Sequence, residues 1–111
     1  MRRVLIVGVV LLTVLAGMGV NAKQKATVYG SGTVSCGRWL EARKGTAETD
    51  WLVRGHWILG WLSSASYYGP LDLKATDSAA IFAWVDNYCK ANPLEDLYKA
   101  GQGLVQALRV K

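Results

Sequence analysis

Cys36 and Cys89 are the only cysteines in a chain of 111 residues, and both follow an N-terminus built like an export signal. Arg2 and Arg3 give a positive start, Val4 to Val20 is an uncharged run dominated by Val and Leu, and Val20-Asn21-Ala22 offers the small residues a signal peptidase reads. Residues 1–22 are therefore expected to be removed and the remainder released into the periplasm. The alternative is an uncleaved membrane anchor, because such a run stands at the lower edge of what spans a bilayer, roughly 17–25 residues. A lipid anchor is disfavoured, since Leu15-Ala16-Gly17 is followed by Met18 where lipid attachment needs a cysteine. In an oxidising compartment two cysteines read as one disulfide, and the competing reading is a pair of separate buried thiols.

That pair limits the fold. Residues 23–111 are enough for one domain with one core, and a chain this short buries a modest share of its surface and often needs a covalent staple. A bridge closing a loop of this length contributes ~4 kcal/mol by chain entropy, comparable to the net stability of a small domain. Once Arg2 and Arg3 leave with the leader, 13 basic residues become 11 against 8 acidic ones, a net charge of +3. The charge is mild and dispersed, without the basic stripe that tracks a nucleic acid backbone.

Residues 23–34 are polar or small, include Gly30-Ser31-Gly32, and predict a flexible N-terminal arm. Ser35 can cap a short helix that places Cys36, Trp39 and Leu40 on one face and stops at Gly45. A second helix is expected from Thr49 or Asp50 to Tyr67 or Tyr68, ended by Gly69-Pro70. It is apolar all round, and its small residues Gly55, Gly60, Ser63 and Ser64 point to close approach by another helix, because Gly costs a helix interior ~1 kcal/mol against Ala. A third helix, capped by Thr76 or Asp77, carries Ile81, Trp84, Val85, Tyr88 and Cys89 along one face. Asn92-Pro93-Leu94-Glu95 reads as the start of a fourth, with Asn92 as cap, Pro93 in the first turn and Glu95 as a capping-box carboxylate. No alternating strand pattern of useful length occurs. Residues 35–111 are thus expected to form an all-α domain of four helices with one disulfide.

Candidate chemistry is sparse. His56 is the only histidine, so two cysteines and one histidine fall short of a structural zinc site even before a disulfide consumes the thiols. A serine triad would need His56 beside Ser63, Ser64 or Ser66 without a strand-turn-helix elbow to expose the nucleophile. Gly30, Gly32 and Gly37 lack the preceding strand and the Gly-Lys-Ser/Thr ending of a phosphate loop. The acids Asp72, Asp77, Asp86, Glu95 and Asp96 are scattered and suggest caps and surface positions, with no acid-base pair. A protein without cofactor, metal site or enzymatic activity is expected. The aromatics are the remaining signal. Trp51, Trp57 and Trp61 lie around the second helix too widely for one buried face, which predicts either a helix surrounded by its neighbours or an exposed interface for a homodimer or protein partner.

The runs Ser35-Cys36-Gly37-Arg38-Trp39-Leu40, Trp57-Ile58-Leu59-Gly60-Trp61-Leu62-Ser63 and Val85-Asp86-Asn87-Tyr88-Cys89, with Pro93 and a closing amphipathic helix, resemble the small HdeA-like periplasmic proteins. They are also similar to the Tai-type immunity proteins of type VI secretion. The first resemblance implies a small orthogonal four-helix bundle, a match of Cys36 and Cys89 to that family's joining cysteines, and an acid-stress chaperone that shields unfolded clients. The second implies a protein that blocks a secreted toxin, and a structural or envelope accessory protein with no client is the third alternative. The sequence departs from the chaperone pattern in its Trp and Gly content, its few tail lysines and its eight carboxylates. The partner expected is a protein or unfolded client, with no nucleic acid and no membrane contact after cleavage.

Overall fold

The computed structural model describes residues 26–46, 48–69 and 72–111. The leader assigned to residues 1–22 and the first arm residues, 23–25, lie outside them. Four helices follow in order: α1 Cys36–Lys44, α2 Glu48–Tyr68, α3 Ser78–Ala91 and α4 Leu97–Leu108. Among the described residues the only extended pairings are isolated bridges, Ser35 with Asp96 and Leu73 with Arg109. The domain is all-α, as the apolar spacing predicts.

Helix starts are set by side chains that accept otherwise unpaired amide hydrogens. Ser35 Oγ accepts from Arg38 N at 3.2 Å, and Asp77 Oδ1 accepts from Ala80 N at 2.7 Å. α4 does not start at Asn92-Pro93. Asn92 instead closes α3, its backbone N and side-chain Nδ2 both donating to Tyr88 O at 2.9 Å. The cap of α4 is Asp96, whose Oδ1 accepts from Lys99 N at 2.8 Å, so Glu95 is no capping-box partner and Leu94 is 98% exposed. The physical reason lies in α1. Its first amides need acceptors, and Cys36 N donates to Glu95 O at 2.7 Å while Gly37 N donates to Pro93 O at 3.2 Å. A helix running through residues 93–96 would turn those carbonyls along its own axis, away from α1.

The arm also differs from expectation in its second half. Residues Gly30–Thr33 form a 3-10 turn, with Gly30 at φ +72°. Trp57 Nε1 donates to Tyr29 O at 2.9 Å, and Leu97 N donates to Val34 O at 3.0 Å, fastening the turn to α2 and α4. Gly32 lies directly beneath the Trp57 ring, where any Cβ would collide with Cζ2 and Cη2. Apolar periodicity cannot reveal such a segment, because a turn held by one indole and a few backbone bonds has no period.

Cys36 and Cys89 are joined, with their Cα atoms 4.8 Å apart, and neither side chain is exposed. The bridge ties the first turn of α1 to the last turn of α3. Around it the core collects Trp39 from α1, Ile58 from α2, Val85 from α3, and Leu97 and Leu104 from α4, all fully buried. Among the described residues no helix is long and apolar enough to cross a membrane. Replacing both cysteines by alanine is expected to lower the unfolding free energy by about 4 kcal/mol, read from urea denaturation of variant and wild type. Gly32→Ala is expected to cost about 1–3 kcal/mol in the same assay, through displacement of the Trp57 ring.

Candidate functional site

The three tryptophans of α2 turn to three different neighbours. Trp51 meets the edge of Phe82 at 5.7 Å, with the Arg43 guanidinium 4.7 Å from its ring centre. Trp57 covers Gly32, as above. Trp61 sits over Gly101 of α4 and meets Tyr98 edge-on at 5.9 Å. Each is half-buried, and the arrangement is that of a central helix with neighbours packed around it. Trp51, Trp57 and Trp61 are not brought together into one patch.

Asp86, one of the acids that the sequence leaves scattered, organises the opposite side. Its Oδ1 accepts from Trp39 Nε1 at 2.7 Å, and both carboxylate oxygens accept from Arg43, the shortest contact being 2.9 Å from Nη2 to Oδ2. Arg43 in turn lies over Trp51 and, at 5.6 Å, Trp39. One carboxylate thus connects α1 to α3, and the cation it holds extends the connection to α2. The buried Trp39 indole and one edge of the Arg43 guanidinium share a single carboxylate, so the cluster acts as a bracket between α1 and α3. Sequence spacing could not pair these residues, because they are brought together by the α1–α3 packing.

The Trp84 and Tyr88 rings stack at 5.4 Å, and both rest against Gly103. Burial pushes the Tyr88 hydroxyl above its ordinary value of 10.0, and the carboxylates of Glu95 and then Asp96 add to the shift. Neutral Tyr88 is the form the fold favours, so its contribution to stability is complete below pH 10.0 and is lost as pH rises through the folded-state value.

A groove of about 680 Å³ opens where the second half of α2, the segment leading into α3, and the end of α4 converge. Leu59, Leu62, Leu73, Ile81 and Leu108 supply its apolar walls. Hydroxyls of Ser63, Ser66, Thr76 and Ser78 and the Lys74 ammonium line the rest. Two backbone bonds hold the wall in place, Lys74 N to Leu108 O at 2.9 Å and Val110 N to Asp72 O at 3.0 Å. No sequence motif marks this groove, since its lining comes from three stretches far apart in the chain, residues 59–67, 73–81 and 108. The nearest signal was the uncharged, serine-containing second half of α2.

His56 is exposed on α2, and among the described residues no cluster of three His, Cys, Asp or Glu could hold a metal ion. No protein-family model, curated protein or solved structure matches the chain. Asp86→Ala would strand the buried Trp39 indole and the Arg43 cation, and a loss of about 2–3 kcal/mol is expected in urea denaturation, with Asp86→Asn losing less because an amide oxygen can still accept from Trp39. An alkaline absorbance titration is expected to show a late tyrosine step that disappears in Tyr88→Phe.

Proposed function

We propose that this chain is an exported, non-enzymatic protein-binding domain of HdeA-like type, which holds an apolar segment of an unfolded client. The groove between α2, residues 73–78 and α4 carries the reading. Its leucine and isoleucine walls suit apolar side chains, while the serine and threonine hydroxyls and Lys74 can donate to the carbonyl groups of an extended backbone. The fully buried disulfide supports an oxidising location, and residues 1–22 supply the export signal in this reading.

Acid stress fits as the working condition. Residues 23–111 carry a net charge of +3, which rises towards +12 when the 8 carboxylates are neutralised and His56 is protonated. The mutual repulsion of that charge loosens packed surfaces and favours exposure of apolar binding area. The test is suppression of aggregation of an unfolded reporter protein at neutral and acid pH. Wild type is expected to suppress aggregation, more strongly in acid, and Leu73→Ser is expected to weaken the effect several-fold while the helical signal is retained. Absence of suppression at both pH values would refute the chaperone reading. A tight complex with one secreted hydrolase, in place of broad client capture, would identify a toxin-blocking protein.

A further inference from the structure

Residues 72–77 lead into α3 as extended chain, without a turn or bend. One edge of this segment is taken by the tail that follows α4. Lys74 N donates to Leu108 O at 2.9 Å and Val110 N donates to Asp72 O at 3.0 Å, and these two bonds flank the antiparallel bridge between Leu73 and Arg109. In such a pair the peptide groups of alternate residues point to opposite edges, so the N–H and C=O of Leu73 and of Ala75 point away from the tail. Among the described residues no backbone group pairs with any of them. Ala75 is exposed and Leu73 half-buried.

That open edge looks into the groove. The consecutive residues Leu73 to Thr76 all line it, whereas an extended segment turned face-on would offer only alternate residues. Unpaired N–H and C=O groups in a row are a template for one more strand. The template also disfavours other occupants. A lipid chain would cover these peptide groups without pairing them, which costs free energy, and a second copy joined edge to edge about a two-fold axis would set Lys74 against Lys74.

We propose that the groove holds an extended stretch of unfolded polypeptide, added as a strand to the free edge of residues 73–75, with apolar side chains at alternate positions. This rests on the client-binding reading of the groove and specifies how the client is held. Backbone pairing accepts almost any sequence, because every residue except proline offers both an N–H and a C=O. Alternate side chains of the added strand meet Leu59, Leu62 and Ile81, which selects apolar residues at every second position. Lys74 is the one charged residue of the lining, so Asp and Glu are tolerated beside it and Lys and Arg are disfavoured.

Hydrogen exchange at single amides, followed by NMR on the disulfide-intact protein, tests the added strand with a synthetic peptide of alternating valine and threonine closed by a glutamate at each end. Without peptide, the amides of Lys74 and Val110 are expected to exchange slowly and those of Leu73 and Ala75 fast. Peptide is expected to slow Leu73 and Ala75 several-fold and to change Lys74 little. Of two further peptides, one N-methylated at every valine and one at every threonine, one is expected to lose binding, since only one set of amides faces the edge. Ala75→Pro removes an N–H that the described fold leaves unpaired, and is expected to weaken peptide binding several-fold with little change in the urea midpoint. A bound peptide that leaves Leu73 and Ala75 exchanging fast, or equal binding of both methylated forms and the parent, would overturn strand addition while client capture by side chains stands. Absence of peptide binding, with an unfolded reporter still protected from aggregation, would overturn it in the same way. Absence of both would overturn the client-binding reading as well.

Discussion

The fold depends on how α1 is held. Nine residues cannot sustain a helix in water, since nucleation is costly and so short a segment forms few bonds to repay it. Three kinds of interaction fix it against the rest. The disulfide clamps its first turn to α3, the carbonyls of Pro93 and Glu95 accept its leading amides, and Asp86 gathers Trp39 and Arg43 farther along the helix. The covalent and polar restraints lie about two turns apart on the same pair of helices, so together they set orientation as well as proximity. Removal of the Asp86 bracket would leave α1 held only near its first turn, by the disulfide and the carbonyls of Pro93 and Glu95.

α2 fills a different role. It is the longest helix and has apolar side chains on every side, which a small domain can bury only by surrounding it. α1 and α3 reach it through Arg43 and Phe82, the 3-10 turn through Trp57, and α4 through Trp61. One face remains open, that of Val53, Gly60 and Tyr67, and beside it lies the groove.

The sequence by itself determined the all-α class, the disulfide and most helix ends, because each follows from local chemistry. Ser35 and Asp77 cap where a short acceptor precedes an apolar run, Gly45 closes α1, and the spacing of Ile81, Val85 and Cys89 places one face of α3 in the core. Only the tertiary structure decided the start of α4, the ordered turn at residues 30–33, the Asp86 bracket and the groove. Asn92-Pro93 is a sound local start for a helix, yet the amides of α1 compete for the same carbonyls and prevail. Asp86 looked like a surface acid until packing delivered Trp39 and Arg43 to it, and the wide spread of the tryptophans around α2 left a surrounded helix and an exposed interface both open until three different neighbours were seen against them. Local signals report what a residue can do with its near neighbours in the chain, whereas these features depend on groups that only meet after the helices have packed.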